Sequence, residues 1–190
     1  MSLEIYSGPM MSNKSSTLLN KLSQDAAINK QVLYINHCID TRTKNAFSTH
    51  NPLLKNFLNM NNLTMIKCEE LPELNDVLQY DTIGIDEFSF FKNYKNIIQY
   101  VEEGKKRVIC VGLIADSNRE KFGHLLDLIL ICDLYTPLYA HCVPCSQDTK
   151  QSVPALFTHR YAGDTNEQIE VGASDKYIPV CRHHYLLLNK

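Results

Sequence analysis

A chain of 190 residues is long enough for one domain with a real core and a small appendage, and nothing in it demands two full domains. Its 19 basic and 21 acidic residues leave a formal charge of −2, which excludes a global field drawing the protein to nucleic acid or anionic membrane. No apolar run reaches membrane-spanning length and the N-terminus lacks the basic-then-apolar layout of a signal peptide, so a soluble cytoplasmic protein is expected.

The β-prone run Leu3–Tyr6 turns at Gly8 into Pro9-Met10-Met11-Ser12-Asn13-Lys14-Ser15. Leu18, Leu19 and Leu22 then mark one face of a helix from Lys14 to about Ile28, stopped at Asn29. Strand, loop and helix in this order are the setting of a phosphate-binding loop. Backbone N–H groups ring the phosphates, a lysine neutralises their charge and a serine hydroxyl binds magnesium. The pattern G-x-x-x-x-G-K-[ST] is filled at Gly8, Lys14 and Ser15, but Asn13 stands where the second glycine belongs. The loop needs backbone conformations, often with positive φ, that a Cβ opposes, and Asn is among the few residues that still visit them.

Gln31–Asn36 reads as a second strand, completing a β-α-β unit. A polar loop from His37 to Pro52 carries Asp40-Thr41-Arg42 and Ser48-Thr49-His50. A helix over Leu53–Met60, a strand over Leu63–Lys67 and a helix over Leu71–Tyr80, begun by a proline, follow. Thr82–Ile85 is a short apolar strand ending in Asp86-Glu87. It is expected beside the phosphate loop with its carboxyl end at the phosphates, where Asp86 would hold magnesium through water and Glu87 would act as a base. After Phe88-Ser89-Phe90-Phe91 come a helix from about Asn93 to Glu103, closed by Gly104, and a fifth strand over Arg107–Val111. That strand's unbroken apolar run suits a parallel sheet covered on both faces. A loop with Asp116, Asn118 and Arg119 leads through Phe122-Gly123 to an apolar helix over His124–Ile131. The alternation predicts an α/β fold, a P-loop-type, mostly parallel sheet with flanking helices forming a nucleotide-binding domain over residues 1–140.

From Tyr139 the character changes, and residues 141–190 read as a small β appendage too poor in hydrophobes to fold unaided. Of the seven cysteines, Cys38, Cys68, Cys110 and Cys132 are scattered singly and suit packing as small hydrophobes. Cys142-x2-Cys145 and Cys181-x2-His184 are two paired-ligand knuckles that together supply the four ligands tetrahedral zinc prefers. His183 is an alternative to His184, though the two-residue spacing fits a knuckle better. With four protein ligands no position is left for water, so the zinc would be structural.

The ordered set of motifs resembles the type II, zinc-containing thymidine kinases over nearly the whole chain. The resemblance rests on Gly8-Pro9-Met10 with Lys14-Ser15, on Asp40-Thr41-Arg42 with Phe47-Ser48-Thr49-His50, and on Ile85-Asp86-Glu87 with Phe90-Phe91. It continues through Arg119, Phe122-Gly123, the two knuckles, Thr158-His159-Arg160 and Asp175-Lys176-Tyr177. It implies transfer of the γ-phosphate of ATP to the 5′-hydroxyl of thymidine or deoxyuridine, for salvage of DNA precursors. Glu87 would be the catalytic base. Gly8, Pro9, Met10, Met11, Ser12, Asn13, Lys14, Ser15, Asp40, Thr41, Arg42, Asp86 and Ser89 would attend the ATP, with Ser15 and Asp86 serving magnesium. Met10, Phe90, Leu113, Ser117, Phe122, Thr158 and Tyr177 would meet the nucleoside. Gln168, Ile169, Glu170, Val171 and Gly172 would form a lasso reading the base through backbone groups, anchored by the zinc of Cys142, Cys145, Cys181 and His184. The resemblance further implies a dimer or tetramer and feedback by thymidine triphosphate.

Three departures stand out. Asn13 replaces the loop glycine, Ser117 stands where the family carries a base-stacking phenylalanine, and Ser146–Pro154 is an apparent insertion expected to lengthen a surface turn. A lost aromatic platform costs a base roughly 1–3 kcal/mol. The alternative reading is a catalytically impaired homologue that keeps nucleotide binding for a regulatory or assembly role. A P-loop ATPase without a nucleoside substrate would leave the lasso resemblance unexplained.

Overall fold

A computed structural model of the chain describes residues 1–39, 61–161 and 176–189. Six parallel strands form the central sheet: β1 (Ser2–Ser7), β2 (Val32–His37), β3 (Leu63–Cys68), β4 (Thr82–Ile85), β5 (Arg107–Gly112) and β6 (Leu134–Pro137), in the order β3-β2-β4-β5-β1-β6. The four inner strands are buried on both faces because both are covered. Leu3, Ile5, Leu33, Ile35, Ile83, Ile85, Val108 and Cys110 face one core, with Phe88, Phe91, Ile97 and Tyr100. Tyr6, Val32, Tyr34, Ile109 and Val111 face another, under Leu18, Leu19, Leu22 and Ala26 of helix α1 (Lys14–Ala27). The alternation of odd and even residues between these cores follows from the two-residue period of a strand.

Asn29, the stop expected from the sequence, follows the end of α1 and takes a left-handed conformation at φ 63°. Several expected elements are shorter. The helix expected over Leu71–Tyr80 is reduced to α2 (Leu74–Val77), capped by a reciprocal Glu73–Asp76 box. The backbone before it is taken by other partners, since Leu71 exchanges hydrogen bonds with the Asn93 side chain and the Pro72 carbonyl accepts from Asn96 and the Tyr100 hydroxyl. Helix α3 covers Asn96–Glu102 and α4 covers Leu125–Ile129. The His124–Ile131 helix stops early because the chain must return to the sheet as β6, a strand the sequence did not reveal. In the sheet β5 runs between β4 and β1, and the parallel strands bring the carboxyl ends of β4 and β1 to the same edge. The helix expected over Leu53–Met60 lies outside the described residues.

Beyond β6, a third core of Ala140, Cys142, Ala155, Ile178, Val180 and Tyr185 is built from short pieces. These are β7 (Ala140–His141) paired with β8 (Pro154–Ala155), and β9 (Phe157–Arg160) antiparallel to β10 (Tyr177–Val180). Two helices were not foreseen, α5 (Val143–Thr149) and α6 (Arg182–Leu188), each opened by a knuckle cysteine. The apparent insertion is thus partly helical, and its end forms β8.

At the amino ends of the strands a buried ionic group fixes the register. Arg107 donates through Nε to Glu4 at 2.7 Å and through a terminal nitrogen to Asp25 at 2.8 Å, and Asp25 also accepts from Thr82 and Lys30. Burial opposes charge on Asp25, but the Thr82, Arg107 and Lys30 hydrogen bonds outweigh it and hold the carboxyl below its ordinary value.

The decisive contact lies at Gly84, where α1 comes down onto β4. A Cβ there would stand 2.6 Å from Leu22 Cδ1 and 2.9 Å from Leu18 Cδ1. Gly84→Ala is therefore expected to lower unfolding stability by about 1–3 kcal/mol through overpacking. A fall in the urea midpoint checks this; an unchanged midpoint would mean that the two leucines repack freely.

Candidate active site

The loop between β1 and α1 depends on two residues in the left-handed region, Met11 at φ 61° and Asn13 at φ 60°. Asn13 thus adopts the conformation for which a glycine would ordinarily be chosen, and its side chain makes no cap hydrogen bond. Its carbonyl accepts from the Thr17 N–H and hydroxyl, both at 2.9 Å. Gly8 is required by space, since a Cβ would lie 2.5 Å from both the Leu138 carbonyl and Ser12 Oγ. Lys14 Nζ donates to the Pro9 carbonyl at 2.7 Å and to that of Gly8 at 3.1 Å, so its charge is held over the loop's own carbonyls. The first turn of α1 contains no acidic residue of its own to oppose the positive end of the helix dipole. Anionic phosphates suit such a loop.

Asp86 and Glu87 follow β4 at the same end of the sheet. Asp86 is buried, with Oδ2 accepting from the Tyr34 hydroxyl and Oδ1 from the Glu87 N–H, both at 2.9 Å. Glu87 is half-buried and left-handed at φ 51°, a conformation that costs a non-glycine residue about 1–2 kcal/mol. It opens a short 3-10 turn, Phe88–Phe90. The Ser15 hydroxyl and the Asp86 carboxylate are hard oxygen donors of the kind magnesium takes.

The 3-10 turn sends successive side chains to different tasks. Phe88 and Phe91 are fully buried, whereas Phe90 is half-buried, edge-to-face with Phe122 at 5.3 Å between centroids and tilted against His37 at 5.6 Å. The Ser89 hydroxyl is committed to the Leu113 carbonyl. The residue is pressed between Gly112 and Gly123, where a Cβ on Gly123 would come 2.0 Å from the Ser89 carbonyl oxygen. His37, which sequence reasoning missed because it stood in a polar loop, is buried. Its Nδ1 accepts from the Ile39 N–H at 3.1 Å, and burial pushes its pKa below 6.5 against the opposing pull of Glu69.

The C-terminal pieces are joined to this site. The Met10 N–H donates to Thr158 Oγ at 3.1 Å, and the Tyr185 hydroxyl to the Ser117 carbonyl at 2.7 Å. Arg119 lies 4.5 Å over the Tyr185 ring, and Arg160 5.9 Å from the ring centroid of Tyr177. A cavity of about 230 Å³ borders Gly8, Pro9, Asp116, Arg119 and Thr158. Among the described residues expected to meet a nucleoside it includes Thr158 alone, and it is smaller than the 300–1,000 Å³ usual for a ligand pocket. Asp40, Thr41, Arg42 and the Gln168, Ile169, Glu170, Val171 and Gly172 stretch lie outside the described residues.

The two knuckles meet. Cys142, Cys145, Cys181 and His184 bring their ligand atoms within 4.8 Å of one another, with His184 Nδ1 3.4 Å from each of the three sulfurs and Cys145 Sγ 3.9 Å from Cys181 Sγ. Zinc–sulfur bonds of about 2.3 Å and a zinc–nitrogen bond of about 2.0 Å imply tetrahedral edges of roughly 3.5–3.8 Å, so the donor set and its spacing suit zinc. His184, rather than His183, enters the cluster. Burial opposes ionisation of Cys181, but hydrogen bonds from the His184 backbone and ring bring its thiol down to about 7.

Comparison with known proteins finds relatives along nearly the whole chain. A family model described as thymidine kinase matches residues 1–185. The chain is 34% identical over 192 residues to the thymidine kinase of Amsacta moorei entomopoxvirus, covering 97% of this chain and 98% of that one. Thymidine kinase a of Arabidopsis thaliana is 33% identical over 195 residues, at 97% and 74% coverage. The cytosolic thymidine kinase of Cricetulus griseus is 27% identical over 183 residues, at 96% and 72%.

Two measurements test the geometry. Because the folded His37 binds its proton less readily than the unfolded one, its contribution to stability is whole above pH 6.5 and is lost as pH falls through the lowered folded value. Urea midpoints taken at about pH 7.5 and about pH 5.5 should therefore drop less in His37→Gln than in the wild type; parallel drops would remove His37 as the cause. Cys181→Ser should reduce tightly bound zinc below one per chain, and full occupancy would refute the ligand assignment.

Proposed function

Because the chain belongs to the thymidine kinase family, we propose that it transfers the γ-phosphate of ATP to the 5′-hydroxyl of thymidine or deoxyuridine, for salvage of DNA precursors. The observation that carries this reading is the common placement of a lysine-bearing loop and the Asp86-Glu87 pair at the carboxyl ends of parallel strands. Phosphoryl transfer needs positioning and charge stabilisation more than covalent chemistry, and both parts are of that kind.

In this mechanism the loop N–H groups and Lys14 bind the phosphates. Lys14 exchanges the Gly8 and Pro9 carbonyls for phosphate oxygens, a stronger, charge-assisted pairing. Ser15 and Asp86 would hold magnesium, which supplies neutralisation of the charge that develops on the phosphate oxygens. Glu87 takes the proton of the 5′-hydroxyl as its oxygen bonds to phosphorus and ADP departs. The left-handed backbone at Glu87 supports this role, because strain of this kind is retained where a side chain must be aimed.

Phe90 and Phe122 are proposed as an aromatic wall for the base, with Met10, Leu113, Thr158 and Tyr177 around it and the Gln168–Gly172 lasso closing over it. Ser117 offers no stacking surface, so base affinity rests more heavily on Phe90. The residues from 141 onward are proposed as the lasso domain, with a structural zinc held by Cys142, Cys145, Cys181 and His184 as its staple. Asp40, Thr41 and Arg42 are proposed to attend the ATP, a homo-oligomer is the proposed assembly, and thymidine triphosphate the proposed feedback ligand. Among the described residues no helix is long and apolar enough to cross a membrane, and a cytoplasmic location is proposed on the likeness to the hamster cytosolic enzyme.

ADP release by the zinc-loaded protein with magnesium-ATP should depend on thymidine or deoxyuridine and be absent with deoxycytidine. Background ADP with every nucleoside, while ATP still binds, would favour the impaired homologue. Glu87→Gln is expected to lower turnover by about 10²-fold or more with ATP affinity nearly unchanged. Undiminished turnover would take the base role from Glu87.

A further inference from the structure

We propose that Tyr34 is a positioning residue for Asp86, and through it for the divalent cation that accompanies the nucleotide; the inference rests on the reading of Asp86 as the magnesium-serving carboxylate. Tyr34 is 1% exposed in the middle of β2, opposite Gly84 of β4. Its ring packs in the core formed by Leu18 and Leu22 of α1, while its hydroxyl donates to Asp86 Oδ2 at 2.9 Å. A purely apolar residue would fill this core equally well. The hydroxyl instead reaches a carboxylate two residues beyond the strand position it opposes.

The arrangement limits what Asp86 can do. Its Oδ1 is fixed by the Glu87 N–H, which sets one end of the carboxylate, and Tyr34 sets the other. Without the phenol, rotation about the Asp86 Cβ–Cγ bond would meet little resistance from hydrogen bonds at Oδ2. The ring is held by the helix that Lys14 and Ser15 open, so Tyr34 makes a direct link between the core beneath that helix and the carboxylate at the end of β4. Partners one step removed from a metal commonly change its affinity by about 10–100-fold when deleted.

The test uses the full-length, zinc-loaded protein and manganese as a spectroscopic stand-in for magnesium, with ADP present. Electron paramagnetic resonance reads free manganese, and equilibrium dialysis in chelator reads metal-free ADP binding. Tyr34→Phe keeps the ring, and Asp86→Asn serves as the reference. The expected result is a loss of manganese affinity of about tenfold in Tyr34→Phe, a larger loss in Asp86→Asn, and metal-free ADP binding and melting temperature close to wild type in Tyr34→Phe. Unchanged manganese affinity in Tyr34→Phe beside a loss in Asp86→Asn would overturn the role of Tyr34 alone. Unchanged affinity in Asp86→Asn would overturn the magnesium reading on which it stands. An equal loss of metal-free ADP binding in Tyr34→Phe would make Tyr34 a packing residue and refute the proposal.

Discussion

Helix α1 packs down onto β4 at Gly84, and the two elements that carry the candidate site residues meet at that contact. Leu18 and Leu22 occupy the room a side chain at Gly84 would need. The helix begins with Lys14 and Ser15, and the strand ends in Asp86 and Glu87. The spacing between the start of α1 and the Asp86-Glu87 carboxylates is therefore set by apolar packing, although β5 separates β4 from β1 in the sheet. Close-packed interiors resist compression, so a distance fixed in this way changes little when charged ligands come and go.

The opposite ends of the strands are held by the Arg107, Glu4 and Asp25 group. Arg107 joins β1, β5 and α1 at one end of the sheet, while at the other end Lys14 donates to the Gly8 and Pro9 carbonyls of the loop it follows. This division lets the amino ends supply register and leaves the carboxyl ends for ligand chemistry, as in open α/β sheets generally. The C-terminal pieces contact the rest of the chain at Thr158 and Ser117, so the unit that contains the cysteine–histidine cluster borders the loop between β1 and α1.

What could be read from the sequence follows from where the information is local. The β-α-β unit, the left-handed tolerance of Asn13 and the stop at Asn29 depend on neighbouring residues and are legible. So is the cysteine–histidine cluster, because ligand spacing within each knuckle is a local property. The insertion of β5 between β4 and β1 depends on pairing across the chain and left no local mark. Leu134–Pro137 was missed because four mostly exposed residues ending in proline carry little pattern, and Leu71–Tyr80 was overcalled because its backbone is claimed by Asn93 and Asn96. His37 and Tyr34 were passed over for the same reason: a histidine in a polar loop and a tyrosine in a strand show their roles only through distant partners.

The left-handed backbone of Glu87 sets stability and use against each other at a single position. A glycine there would relax the chain and remove the carboxylate in the same step. A glutamate in that conformation carries a backbone cost that a glycine would not, at the one position where β4 hands the chain to the 3-10 turn.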